Sequence, residues 1–179
     1  LRYNPNCYNR ETRRRWPAMI AAVICEQGFL TVHRTWLQIH EDGRVSKAPL
    51  VKAKKVYSSS RTGHIPLWRG EVIDPETGEV TPGVSLKKAP PGSSILLSEG
   101  VEDGLVYALI KRDQRVAAGL SLSNMSNVWM PDTIEHLILG AQNDESPGAQ
   151  KQFQQVLQNL EKRFPMVSAP KPPAGFKDI

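Results

Sequence analysis

Three carboxylates, Glu99, Glu102 and Asp103, follow directly on the short apolar run Ser94-Ile95-Leu96-Leu97-Ser98. Acids this close repel one another unless a cation joins them, and a divalent metal ion is the species whose charge would relieve the crowding. The plainer alternative is that Glu102 and Asp103 answer the positive end of a helix and that Glu99 is simply solvated. Either chemistry depends on the elements that hold the acids. Gly100 turns the chain, and Val101, Leu105, Val106 and Leu109 then recur at helical spacing, so the segment predicts a strand, a turn and an amphipathic helix. Glu99 would stand at the C-terminal tip of the strand, in the crevice where open α/β sheets bind ligands.

A second acidic stretch lies downstream. His136-Leu137-Ile138-Leu139 reads as a strand that runs out into Ala141-Gln142-Asn143-Asp144-Glu145. Between the two acidic tips, Arg115 to Gly119 predicts a further short strand. Beyond them, Ala149, Phe153, Val156, Leu157, Leu160 and Phe164 mark the core stripe of a long helix, and Pro165-Met166-Val167 a last strand. Strands alternating with helices imply a mostly parallel sheet with right-handed crossovers. Neighbouring strands lie about 4.8 Å apart. If the Glu99 and Asp144 strands are adjacent, their carboxylates can therefore share a Mg²⁺ that keeps several waters and also binds a substrate phosphate.

The N-terminal part has a different character. Residues 1–70 hold 13 Lys/Arg against 4 Asp/Glu, and residues 71–179 hold 10 against 14, so a basic region precedes an acidic one. That asymmetry suits a protein that grips a polyanion with one part and a cation with the other. The start, to Arg15, is polar and predicts a surface segment. Two apolar or alternating segments, Ala18 to Cys25 and Phe29 to Ile39, flank Glu26-Gln27-Gly28 and predict a β-hairpin. Lys47 and Lys52 lead to Lys54-Lys55-Val56-Tyr57-Ser58-Ser59-Ser60-Arg61, a loop-like mixture able to contact phosphates through charge and to stack a base on Tyr57. It is not a Walker loop. Candidate contacts to nucleic acid or nucleotide are Arg34, Lys47, Lys52, Lys54, Lys55, Tyr57 and Arg61, with a purely structural role as the alternative for His33 and Arg34 on their strand. Glu71 to Val80 predicts a small hairpin, and Ala89-Pro90-Pro91-Gly92 a stiff linker that places a domain boundary near 89/90.

No apolar run approaches the roughly 20 residues of a transmembrane helix, and the first residues lack a signal peptide's apolar core, so the expected location is cytoplasmic, with no membrane partner. Cys7 and Cys25 are too few for a disulfide framework and predict reduced thiols. The missing initial Met and the Pro-rich end suggest a piece of a longer polypeptide.

Taken together, Leu96-Leu97-Ser98-Glu99-Gly100-Val101-Glu102-Asp103, the strand ending at Gln142-Asn143-Asp144, and Gly175-Phe176-Lys177-Asp178 resemble the three acidic motifs of the Toprim domain. That domain is shared by bacterial-type primases, type IA and II topoisomerases and OLD-type nucleases. The preceding stretch, with Leu1-Arg2-Tyr3, Thr31 to Leu37, Lys47-Ala48-Pro49 and Lys54-Lys55, resembles the segment that phage and plasmid primases place before their Toprim domain. The resemblance implies a compact, Rossmann-like α/β Toprim domain over 90–179 and a smaller β-rich basic subdomain over 1–89. It implies Glu99 and Asp144 as catalytic residues, Glu99, Asp103, Asp144 and Asp178 as ligands of Mg²⁺ or Mn²⁺, and Lys54 and Lys55 as phosphate contacts. The implied activity is metal-dependent RNA primer synthesis in the replication of a phage, plasmid or mobile element. The implied partners are a single-stranded DNA template, nucleoside triphosphates and a fused or associated helicase. One departure stands out: Gln142 replaces the first acid of the family's Asp-x-Asp motif, and fewer anionic ligands weaken a Mg²⁺ site. The alternatives are therefore a non-catalytic Toprim-like module that binds nucleic acid or a partner and, ranked lower, a Toprim nuclease.

Overall fold

The structure is a computed structural model that describes residues 1–140 and 146–170. The chain separates into two compact units, Leu1–Ser60 and Arg61–Ile179.

The first unit is an antiparallel sheet. Its strands are β1 (Arg2–Asn9), β2 (Arg14–Cys25), β3 (Gly28–Ile39), β4 (Val45–Lys47) and β5 (Lys54–Val56), in the order β1-β2-β3-β4, with β5 also paired to β3. The expected hairpin is present: β2 and β3 pair from Ala18↔Trp36 to Cys25↔Gly28, and Gly28 supplies the positive φ of 116° at the turn. The polar start does run largely over the surface, and it does so as a strand. It occupies a sheet edge, where Pro5 and an irregularity between Asn4 and Cys7 are tolerated, and its polar side chains hid it from an apolar pattern search. Trp36 anchors the core with Cys7, Ala18 and Ala48, and its indole N–H donates to the Cys7 carbonyl at 3.3 Å.

The second unit opens with β6 (Ile65–Arg69), the hairpin of β7 (Glu71–Ile73) and β8 (Val80–Pro82), and a 3₁₀ turn at Leu86–Lys88. There follow β9 (Ser93–Ser98), α1 (Val101–Ile110), β10 (Arg115–Ala118), α2 (Leu122–Met125), β11 (Ile134–Leu139), α3 (Pro147–Glu161) and β12 (Met166–Ser168). The sheet order is β12-β11-β9-β10-β6, with β9 to β12 parallel and β6 antiparallel at one edge. Ile95 to Ser98 are all buried, as a parallel strand covered on both faces requires. Ile95 and Leu97 face a core with Leu137, Leu139, Met125, Val156 and Leu160, whereas Leu96 packs with Val116 and Tyr107 of α1 on the other side. Ser146 caps α3 by accepting from the Ala149 N–H at 3.3 Å, with Pro147 in the first turn.

Two expectations change here. The division falls at Ser60/Arg61 rather than near 89/90, because β6 joins the sheet of the second unit through Val116↔Trp68 and Ala118↔Ile65. Ala89 is itself buried in that unit's core, and Gly92, at φ 80°, turns the chain into β9, so the Pro-rich segment is a turn within the unit. The buried face of α1 is Val101, Gly104 and Tyr107, while Val106 and Leu109 are exposed. The reason is Gly104: without a side chain it lets the helix lie directly on Ser98 and Leu67.

Candidate functional site

The connectivity of the second sheet creates its own crevice. From β9 the chain crosses through α1 to β10 on one side, returns to β11 on the other side, and continues through α3 to β12. The order of connection therefore reverses between β9 and β11, and ligands of open α/β sheets bind at the carboxyl ends of strands flanking such a point. The two strands run in register from Ser94↔His136 to Leu97↔Leu139, and the Gly140 N–H donates to the Leu97 carbonyl at 3.0 Å. The condition set by the sequence, that the strands bearing the two acidic tips be neighbours, is met up to Gly140.

Glu99 follows β9 directly and is half-buried; it makes no hydrogen bond or ion pair with the described residues. The turn that holds it is tied down by Ser98, whose buried hydroxyl donates to the Gly100 carbonyl at 2.7 Å and lies 3.3 Å from the Ala117 carbonyl. Gly100 is the N-cap of α1, with Glu102 and Asp103 in the first turn. A Cβ placed on Gly100 would sit 2.8 Å from Asp103 Oδ2 and 3.6 Å from Glu102 Oε2, so both carboxylates fold back toward the helix start. That placement fits attraction to the helix dipole as well as proximity to Glu99. Gln142, Asp144, Glu145 and Asp178 lie outside the described residues, among which no group of three or more His, Cys, Asp or Glu is placed to hold a metal ion. The donors at this rim are carboxylate oxygens, the type a hard divalent cation prefers, and the described ones do not by themselves complete a site.

The far side of the rim carries features not anticipated from sequence. Asn124 is buried, and its Nδ2 donates to the carbonyls of Gly63 and Gly119 at 2.9 Å each, while its Oδ1 accepts from the Thr62 N–H at 3.3 Å. It clamps the entry to β6 onto the exit of β10, where Thr62 and Leu120 have left-handed φ of 66° and 74°. Such conformations cost on the order of 1–3 kcal/mol each and persist only where surroundings enforce them. The signal in the sequence was the small-residue stretch Ser121 to Asn127, which carries no residue of obvious chemistry.

His64 lies beside this clamp, fully buried, its ring stacked on Trp129 at 6.4 Å and neither nitrogen hydrogen-bonded among the described residues. Burial pushes its pKa down to about 4. The unfolded chain, at about 6.5, binds the proton more readily, so stability is full above pH 6.5 and falls as pH drops toward 4, by about 3 kcal/mol in all. Urea denaturation across this range is expected to show that loss in the wild type and a flatter profile in His64→Leu.

In the first unit the sequence candidates do not form one patch. Lys55 pairs across the ladder with Arg34, whereas Lys54 pairs with Thr35 and Lys47 with Leu37, on the opposite face. Lys52, in the loop between β4 and β5, and Arg61, the first residue of the second unit, are exposed. The Arg34 guanidinium lies 5.0 Å from the Trp36 ring and 5.6 Å from that of Tyr57. Lys55 Nζ donates to Glu11 Oε1 at 3.3 Å.

The fold defines a mixed α/β protein in which strand outweighs helix, with one largely parallel sheet. No described helix is long and apolar enough to cross a membrane. Residues 1–67 match the model of a family described as Domain of unknown function (DUF7146). Among solved structures the chain is similar to the primase fragment of the bacteriophage T7 primase-helicase protein, at 16% identity and a TM-score of 0.49, covering 91% of this chain and 55% of that one. The chain thus spans about half the length of that fragment. Comparison with curated proteins gives no match.

Proposed function

We propose that this chain is the nucleotidyl-transfer part of a primase-type Toprim protein, which synthesises RNA primers on single-stranded DNA. The observation that carries the reading is the adjacency of β9 and β11 at the point where the connection reverses, with Glu99 directly after one strand and Gly140 directly after the other. The motif resemblance supplies the chemistry. Glu99, Asp103, Asp144 and Asp178 are the oxygen donors that would hold Mg²⁺ or Mn²⁺. When bound, the ion supplies charge neutralisation and orientation of a nucleoside triphosphate for in-line displacement. The protein's own part is positional. Ser98 and Gly104 hold the turn that carries Glu99, and cationic side chains on the Arg34–Lys55 face of the first unit hold the template through its phosphates.

The test is incubation of the chain with an unstructured single-stranded DNA template, labelled ribonucleotides and Mg²⁺ or Mn²⁺. Short template-directed RNA products are expected. Absence of product with either ion overturns the transferase reading. If calorimetry then finds no Mg²⁺ binding at millimolar concentration while single-stranded DNA still binds, the non-catalytic module takes its place. Cleavage of labelled DNA would instead assign a nuclease.

A further inference from the structure

Tyr57 is 78% exposed. Its backbone N–H donates to the Val32 carbonyl at 2.9 Å, which continues the β3–β5 pairing by one residue. Beneath it lies Arg34, held between Tyr57 and the buried Trp36, so the three side chains form a ring–guanidinium–ring stack. The two ring contacts restrict the guanidinium, while Tyr57 itself stays largely open to solvent.

The electrostatics around Arg34 favour an anionic ligand. Arg34 makes no hydrogen bond or ion pair with the described residues, and its Nε is buried without an acceptor. A buried donor left unmatched is costly, the more so on a charged group. Directly across the ladder from Arg34 stands Lys55, and like charges opposite one another in a sheet destabilise it. Lys55 is answered by Glu11, and Arg34 finds no acid among the described residues. The surroundings add no relief, since residues 1–60 carry 11 Lys/Arg against 4 Asp/Glu.

We propose that the Trp36–Arg34–Tyr57 stack is a subsite for single-stranded nucleic acid, in which one unpaired base lies on the outer face of Tyr57 and the adjoining phosphate accepts from Arg34. Trp36 and Arg34 are positioning residues for the Tyr57 platform, and Arg34 is also the phosphate contact. A duplex satisfies only half of this arrangement, because its bases are already stacked on each other, so the subsite selects unpaired strands. The inference rests on the reading that the first unit grips a polynucleotide, and it gives the segment matched by the family of unknown function a physical role independent of any transfer chemistry at Glu99.

Fluorescence anisotropy of the full chain with labelled oligo(dT), an abasic oligomer of the same length, oligo(rU) and a duplex tests it over a salt titration. Tyr57→Ala is expected to weaken oligo(dT) binding roughly tenfold, with little change for the abasic strand and none in the salt slope. Tyr57→Phe should restore the wild-type affinity. Arg34→Gln should lower the slope of log K against log salt by about 0.7. Arg34→Lys should recover that slope without recovering full oligo(dT) affinity, since an ammonium cannot lie flat between two rings. Tighter binding of oligo(dT) assigns the strand as DNA and tighter binding of oligo(rU) as RNA; either supports the subsite. Equal losses on dT and abasic strands in Tyr57→Ala, an unchanged slope in Arg34→Gln, or a preference for duplex would overturn it. A wild-type chain with no affinity for any oligomer would overturn the polynucleotide reading as well, which separates the two failures.

Discussion

On the proposed reading, with Glu99 as a catalytic carboxylate, Glu99→Gln is expected to reduce primer synthesis by about 10²–10⁴-fold, the range for loss of a positioned acid–base group, while leaving single-strand affinity and thermal stability unchanged. The substitution preserves volume and removes only the negative charge. Glu99 is half-buried beyond the end of β9 and has no hydrogen bond to the described residues, so none of those bonds is lost with the charge. The comparison that gives the result its meaning is Asp103→Asn. Asp103 sits in the first turn of α1 with its carboxylate folded toward Gly100, where a helix-dipole role contributes about 0.3–1 kcal/mol. If Asp103→Asn shifts the melting temperature and leaves synthesis intact, the residue belongs to the helix. If it lowers synthesis alongside Glu99→Gln, it belongs to the metal. A Glu99→Gln chain that still makes primers at the wild-type rate sinks the assignment of the β9–β11 crevice as the reacting centre.

The local unit around Glu99 was legible because its signals are short-range: an apolar run, a glycine, and two acids opening a helix. The neighbourhood of β9 and β11 was legible only as a condition, and the register Leu97↔Leu139 meets it. Signals failed where packing, not periodicity, decides. Gly104 counts as neutral in any apolar stripe, so Val106 and Leu109 took a place that the helix gives to Gly104 and Tyr107. β6 went unseen because five residues containing Pro66 do not read as a strand, although an outermost strand accommodates a proline. Missing β6 moved the expected boundary, since nothing local in Ile65–Arg69 announces that it will pair with Arg115–Ala118. Asn124 and Ser98 act through backbone carbonyls, which leave no trace in side-chain chemistry. The environment of Arg34 was likewise out of reach. One of its two rings lies two positions along its own strand, and the other arrives from the chain just past β5.

Gly104→Ala is the substitution expected to cost most stability, against the usual sign for a helical glycine. In an open helix the change gains up to about 1 kcal/mol from propensity. Here a Cβ would stand 2.3 Å from Leu67 Cδ1 and 2.6 Å from Ser98 Oγ. The Leu67 methyl ends a flexible side chain and can rotate away. Ser98 Oγ is one bond from the Cβ of a fully buried residue and is committed to the Gly100 carbonyl at 2.7 Å. The helix must then lift or the hydroxyl must break its bond, and overpacking of this kind costs about 1–3 kcal/mol. For a chain of this size that lowers the melting temperature by about 2–4 °C per kcal/mol. The mechanism has a discriminating partner in Ser98→Ala, which alone loses one hydrogen bond, about 1 kcal/mol. Combined with Gly104→Ala it also removes the colliding atom, so the double variant should be more stable than the sum of the two losses predicts. Additive losses in chemical denaturation would show that Ser98 is not what makes glycine necessary at 104. A non-additive recovery of stability without recovery of primer synthesis would show that the Ser98 hydroxyl is needed to aim Glu99 even after the helix has settled back onto the sheet.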